Sequence, residues 1–199
     1  MSLRSQILVV AITALSCLSP LQSINASEPT TAPLLRFNTY MHYNSITGIT
    51  TDLSNRLLAT SSRDKTIKIW ETSTGKLIKT IYPPIEALDE GKLEAIAMSP
   101  DGKTVAVGGF TGNSWRAGYS VYIFDTSSGE MNGHVDGLPS YITRLAYSPD
   151  GSQLAIGTGR GASLYNTLTL ENVWHDYSFN SDCYAVSYTH LTLPTIYSV

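Results

Sequence analysis

The chain has 199 residues, of which 42% are apolar and 15% are charged, and its formal net charge is −3. This length suits one ordinary domain, and the acidic balance excludes the basic footprint expected of a nucleic-acid-binding protein. The 12 tyrosines and 15 glycines favour strands and tight turns over helices.

The N-terminus has the features of a secretory signal peptide over residues 1–26. A positively charged start precedes an apolar run from Ile7 to Leu15 that is too short to span a bilayer, and residues 24–26 offer a small-residue cleavage site. Residues 27–35 are predicted to form a linker. We therefore expect an exported protein, secreted or periplasmic, with no membrane span after cleavage. An uncleaved anchor, or a lipid on Cys17, is the alternative.

Three similar segments follow, and their first strands begin at Ile46, Leu93 and Ile142. Each segment alternates apolar and polar residues, turns at a short polar tetrapeptide, and continues into two further strands. The predicted strands are 46–49, 57–61 and 66–70 in the first segment, 93–96, 104–108 and 120–124 in the second, and 142–145, 153–157 and 162–165 in the third. The turns that follow the first strands are 52–55, 99–102 and 148–151, and the last two read Ser-Pro-Asp-Gly.

Four polar positions in the first segment have a characteristic spacing. His42 precedes the first strand, Thr60 or Ser62 ends the second, Asp64 lies in the next turn and Trp70 ends the third. This pattern resembles the WD40 repeat, which forms one blade of a β-propeller. A buried indole N–H needs an acceptor, and an imidazole can link a hydroxyl to a carboxylate. We predict a structural tetrad, with a catalytic His/Asp/hydroxyl group as the alternative.

The resemblance implies an all-β fold over residues 36–185. The expected architecture is a partial WD40-type β-propeller of about three four-stranded antiparallel blades, where seven are usual in the family. The second and third segments depart from the pattern. Phe124 and Tyr165 replace the tryptophan, and neither segment has a histidine at the position of His42. The polar network is therefore expected in the first blade only.

A second resemblance concerns the wider order of motifs. Residues 82–85, 90–93, 99–109 and 137–139 resemble bacterial exported WD40 proteins, in which the propeller is often joined to another domain, sometimes a caspase-like peptidase. The implied function is a protein-interaction scaffold that is not catalytic in this region, with a protein partner of unknown identity. The alternative is a regulatory or sensing propeller of a larger exported enzyme whose catalytic domain is not in this sequence.

A possible partner surface lies in the second segment. Residues 110–118 form a long insertion that carries Trp115 and Arg116 between glycines. Tryptophan and arginine dominate binding hot spots, and loops often carry function. We therefore predict a contact surface for a partner there, and a loop packed onto its own blade is the alternative.

No motif in the sequence predicts a cofactor, a metal or a catalytic residue. The His/Asp pairs are His134 with Asp136 and His175 with Asp176, which we place in loops, and they lack metal-ligand spacing. A different interpretation applies to Val186–Thr195. This stretch resembles a translated transposase-type sequencing adapter, so residues 186–199 are predicted to be an artefactual tail. A divergent genuine strand is the alternative.

Overall fold

Twelve strands in three separate antiparallel sheets form the computed structural model, which describes residues 40–84, 91–112, 118–178 and 181–183. All of these residues belong to one compact unit that begins at residue 38. The strands are β1 Ile46–Thr51, β2 Leu57–Ser62, β3 Ile67–Glu71, β4 Lys76–Ile81, β5 Lys92–Met98, β6 Thr104–Phe110, β7 Tyr119–Asp125, β8 Met131–Leu138, β9 Ile142–Tyr147, β10 Gln153–Thr158, β11 Gly161–Asn166 and β12 Asn172–Asp176.

Each sheet is a meander in which every strand pairs with the next one along the chain. The first strands of the three sheets, β1, β5 and β9, lie side by side. In all three of these strands the pairing shifts by one residue near the start: between Ile46 and Gly48, between Leu93 and Ala95, and between Ile142 and Arg144. Such a bulge bends the strand and increases its twist. Three twisted four-stranded sheets with adjacent inner strands confirm the predicted fold class.

The sheets pack face to face through two apolar clusters, and the second sheet contributes to both. Its β5–β7 side chains alternate between the two faces, as the two-residue period of a strand requires. The cluster shared with the first sheet contains Ala59, Ile67, Ile69, Ile81, Leu93, Ile96, Met98, Val105, Val107 and Phe124. The cluster shared with the third contains Ala95, Ala97, Ala106, Val121, Ile123, Val135, Leu138, Ile142, Leu145, Leu154 and Ile156.

The turns after the inner strands share one geometry at what we call the lower rim. The lower rim is the end of the sheets that carries the turns at residues 52–56, 72–75, 99–103, 126–130, 148–152 and 167–171. We call the turns that follow β1, β5 and β9 inner turns, and those that follow β3, β7 and β11 outer turns. In each inner turn the fourth residue donates its backbone N–H to the carbonyl of the first residue. That fourth residue has a positive φ, which is 53° at Asn55 and 74° at both Gly102 and Gly151. Glycine and asparagine are the residues that tolerate this conformation, which explains the tetrapeptides.

All nine predicted strands are confirmed, whereas the prediction that the two His/Asp pairs lie in loops is wrong. His134 and Asp136 belong to β8, and His175 and Asp176 belong to β12. These outer strands were hard to identify because they are exposed along most of their length. They therefore lack the apolar alternation that marks a half-buried strand.

Several predictions lie outside the described residues. They concern the signal peptide and linker at residues 1–35, Trp115 and Arg116, and the tail at 186–199. Within the described ranges, no helix has the length and apolar character needed to cross a membrane.

Candidate functional site

A hydrogen-bonded chain of side chains joins the predicted tetrad on the first sheet. His42 contacts Asp64 through Nδ1, at 2.9 Å, and Thr60 through Nε2, at 2.8 Å. The indole Nε1 of Trp70 donates to the same Thr60 hydroxyl at 3.0 Å. A carboxylate can only accept, so Nδ1 carries the proton and Nε2 accepts from Thr60. The structure thus brings His42, Thr60, Asp64 and Trp70 together.

Ser62, the alternative hydroxyl, lies outside this chain. Its Oγ donates to the carbonyl of Asn44 at 3.3 Å and accepts from the backbone N–H of Asp64 at 3.0 Å. It shapes the β2–β3 turn that positions Asp64, while Thr60 occupies the hydroxyl position of the tetrad. Lys65 completes this turn with a φ of 68°.

Asp64 is held by more donors than the sequence pattern indicates. The hydroxyl and the backbone N–H of Thr66 donate to its Oδ1 at 2.6 and 2.9 Å, and the N–H of Tyr43 donates to its Oδ2 at 3.1 Å. Burial alone would raise the pKa of Asp64, but the hydrogen bonds from Thr66, His42 and the backbone of Tyr43 hold it below its ordinary value. The role of Thr66 could have been predicted from its spacing, because the side chain of an Asp in a turn often accepts a hydrogen bond from the backbone two residues later.

A buried lysine lies on the same face of the sheet. Lys68 is 3% exposed, pairs across the strands with Thr60, and donates from Nζ to the Thr80 hydroxyl at 3.1 Å. Burial lowers its pKa, and the charge of Asp64 partly offsets that effect. The alternation of residues 66–70 places this lysine on the face opposite Ile67 and Ile69, but that pattern does not indicate its burial.

The tetrad has the geometry of a packing element. The side chains of His42 and Asp64 are only 3% and 1% exposed. The Thr60 hydroxyl is already engaged by both His42 and Trp70. A nucleophilic hydroxyl must be reachable by a substrate, and Thr60 is only 5% exposed, so it does not meet this condition.

The other two sheets replace the network with apolar side chains at equivalent places. Trp70 pairs with Leu58, and the same register joins Phe124 to Val105 and Tyr165 to Leu154. Val107 and Ile156 stand where the first sheet has Thr60. The phenylalanine and the tyrosine face the preceding sheet in each case, because Val105 and Leu154 belong to those two clusters.

The end of the sheets opposite the lower rim is called the upper rim here, and it carries charged and aromatic groups. Arg63, in the β2–β3 turn, forms an ion pair with Glu94 of β5 at 2.9 Å. The ring of Phe110 stacks on Tyr141, with centroids 5.0 Å apart, and the Tyr141 hydroxyl donates to Asp182 at 3.0 Å. Phe110 is the first residue of the predicted insertion, so this stack forms one base of that loop.

A cleft of about 360 Å³ opens between the inner strands. Ile46 and Ile49 of β1, Glu94 of β5, and Arg144 and Leu145 of β9 line it. The two isoleucines are 58% and 67% exposed.

The remaining His/Asp groups do not form a catalytic arrangement. His134 pairs with Asp136 at 2.9 Å, and Ser120 donates to the other oxygen of Asp136 at 2.6 Å. The carboxylate therefore lies between the serine and the histidine, which leaves the serine without a base. His175 stacks on Tyr177 instead. The described part of the chain contains no group of three or more His, Cys, Asp or Glu residues that could hold a metal.

The meanders, their adjacent inner strands and the face-to-face packing define consecutive blades of a β-propeller. Residues 35–71 match the family model described as WD domain, G-beta repeat. This match covers the segment that carries the tetrad. Together, the match and the three sheets identify the folded part of the chain as WD40-type propeller blades.

The chain is similar in sequence to several known proteins, one of which is a WD repeat-containing protein by name. It is 30% identical over 120 residues to the WD repeat-containing protein SL1-17 of Schistosoma mansoni, covering 60% of this chain and 36% of that protein. It is 29% identical over 130 residues to Protein ROOT INITIATION DEFECTIVE 3 of Arabidopsis thaliana, covering 64% and 28%. It is 40% identical over 57 residues to Nuclear distribution protein PAC1 of Coccidioides posadasii, covering 29% and 11%. The chain thus spans about a third or less of these relatives, which are all eukaryotic.

Proposed function

We propose that this protein is an exported, non-catalytic scaffold that binds a protein partner through the upper rim of its blades. The observation that carries the proposal is the combination found there. An ion pair between Arg63 and Glu94 and a stacked Phe110–Tyr141 pair flank the β6–β7 connection, in which the sequence places Trp115 and Arg116. Aromatic and arginine side chains supply most of the energy of protein interfaces.

The buried tetrad supports the scaffold function rather than an enzymatic one. It satisfies the polar groups of the first blade internally and leaves no exposed nucleophile. WD40-repeat relatives are generally non-catalytic, and a rigid blade can present loops without itself reacting. Export is supported by the signal-peptide features of residues 1–26.

Site-specific photo-crosslinking tests the binding surface. The full chain would carry a photoreactive phenylalanine at position 115, or, as the matched control, at Trp174, a half-exposed tryptophan on β12. Exposure to the proteins of the source organism's extracellular fraction should give a discrete crosslinked product from position 115 only. Unlabelled wild-type protein should compete for the crosslinked partner and reduce the yield of that product. Trp115→Ala and Arg116→Ala should each compete less well than the wild type. Crosslinked products of equal yield from both positions would refute the proposal that the partner binds at the upper rim.

Export can be tested separately by following processing. Expressed in a bacterial host, the chain should lose its first 26 residues and appear outside the cytoplasm with Ser27 as the new N-terminus. A full-length cytoplasmic product would contradict the export part of the proposal and leave the binding surface untouched.

The second candidate is a regulatory propeller of a larger exported enzyme. It is favoured by the resemblance of the motif order to that of bacterial exported WD40 proteins. Sequencing the intact gene beyond codon 185 distinguishes the two. A peptidase domain in the same reading frame would support the regulatory function, and its absence would favour the scaffold.

A further inference from the structure

The outer turns of the lower rim are fastened to the neighbouring inner turns by repeated hydrogen bonds. In the second sheet, Thr126 donates from Oγ1 to the carbonyl of Gly102 at 2.6 Å and from its backbone N–H to Lys103 at 2.9 Å. In the third sheet, Thr167 makes the same pair of bonds to Gly151 and Ser152, at 2.7 and 3.0 Å. These bonds hold each outer turn in one position.

The outer turn of the third sheet differs from the other two by two leucines. Leu168 stands where they have Ser73 and Ser127, and Leu170 stands where they have Gly75 and Gly129. The hydrogen bonding shows that these positions are equivalent. The backbone N–H groups of Gly75, Gly129 and Leu170 each donate to the carbonyl of the residue four positions earlier. Leu170 packs against Gly133 and the core, but Leu168 is 92% exposed. Leu168 is therefore an exposed apolar side chain on a turn whose backbone is fixed by hydrogen bonds.

A cleft of about 310 Å³ lies beside Leu168, between the lower turns of the second and third sheets. Pro100 and Tyr147 form its apolar part, together with Leu168 at its edge. The Tyr147 hydroxyl bonds to that of Thr104 at 3.2 Å, which fixes the ring. Both sheets that form this cleft are described, so its walls are complete in the structure. We call it the lower cleft.

The charge of the lower cleft is unbalanced. Asp101 pairs with Lys103 at 3.2 Å, whereas no lysine or arginine of the described residues lies within ion-pair distance of Asp150. Hydrogen bonds from Ser148 and Ser152 lower the pKa of Asp150 to about 2, so it is ionised at neutral pH. An anion beside an apolar pocket complements a segment that carries a cation next to an aliphatic side chain.

We propose that the lower cleft binds an extended segment of a partner protein, which inserts one aliphatic side chain between Pro100, Tyr147 and Leu168. An arginine or lysine of the same segment lies beside Asp150. The fastened turns present these groups without reordering on binding, which reduces the entropic cost of association. This surface is at the opposite end of the blades from the upper rim and does not depend on the function proposed there.

Peptide selection on the full chain tests the proposal. A random heptapeptide phage library would be selected on immobilised protein, and the enriched peptides would be labelled for fluorescence anisotropy. We expect peptides with an aliphatic residue next to arginine or lysine. Leu168→Ser should weaken their binding about tenfold or more, because a leucine contact is lost. Raising NaCl to about 0.5 M should weaken it further by screening the charge of Asp150.

Matched variants separate this site from others. Leu168→Ser restores the residue that the other two turns carry, so its thermal unfolding should match the wild type. Leu53→Ser removes another exposed leucine of the lower rim, which does not line the cleft, and should leave binding unchanged. Replacing residues 113–117 should also leave it unchanged. Failure to select any peptide, selection of acidic peptides, or equal losses in the two serine variants would overturn the proposal.

Discussion

Leu170 provides a sharp test of the repeated lower-rim geometry. Its φ is 57°, in the left-handed region, where the equivalent Gly75 and Gly129 have 68° and 75°. A side chain in this conformation costs about 1–2 kcal/mol, whereas glycine adopts it freely. Leu170 compensates by packing on Gly133, whose ideal Cβ position lies 2.6 Å from the Leu170 Cδ1. Its backbone strain and its packing therefore oppose each other.

The two smaller substitutions at this position should separate the two effects. Leu170→Ala keeps the strain and loses part of the packing of a half-buried leucine, so it should destabilise by about 1–2 kcal/mol. Leu170→Gly loses the same packing but relieves the strain. We therefore expect the glycine variant to be more stable than the alanine variant by about 1 kcal/mol, which reverses the usual order of these residues.

Equilibrium unfolding in urea measures both variants. Gly75→Ala is the matched control, because its φ is 68° and no atom lies within 4 Å of the position that the new Cβ would take. It should cost about 1 kcal/mol from backbone conformation alone. An alanine variant of Leu170 more stable than the glycine variant would refute the left-handed conformation at this turn.

Three further predictions concern the blades. Trp70→Ala should destabilise by more than Asp64→Ala, which should cost about 1–3 kcal/mol, as denaturant midpoints would show; unchanged midpoints would contradict the tetrad. Because the pKa of Asp64 is lowered, its stabilising effect is complete above its ordinary value of 3.8 and is lost on further acidification. Asp64→Asn should therefore flatten the acid limb of a pH–stability curve, and a parallel curve would contradict this. Gly108→Ala should lower the melting temperature, since its Cβ would lie 2.7 Å from Ile142, and Ile142→Ala should partly rescue it; strictly additive effects would argue against this contact.

The inner three strands of each blade were predictable because they carry strong local signals. Alternating apolar residues and the Ser-Pro-Asp-Gly turns at 99–102 and 148–151 specify a strand, a turn and the next strand. The bounds of the fourth strand of each blade, β4, β8 and β12, were not predicted. β12, for example, is exposed at four of its five positions, so burial imposes no pattern on it.

The site was predictable in residue types but not in detail. Thr60 and Ser62 are two positions apart on one strand and face the same side, so the sequence could not choose between them. Only the position of the imidazole, 2.8 Å from Thr60, decides the choice. The left-handed Leu170 was equally hidden, because the stretch from Thr167 to Glu171 contains no glycine or asparagine to mark a turn.

We propose that the tetrad satisfies the polar groups that the first propeller blade buries. A double-mutant cycle between Thr60→Val and Trp70→Phe tests it directly, because the second sheet already combines Val107 with Phe124. Thr60→Val alone leaves the Trp70 indole N–H and the Nε2 of His42 without a partner and should cost about 1–3 kcal/mol. Adding Trp70→Phe removes the unpaired indole, so the double variant should be more stable than the sum of the two single losses by about 1 kcal/mol. Additive losses in urea unfolding would show that Thr60 and Trp70 do not depend on each other and would contradict the account.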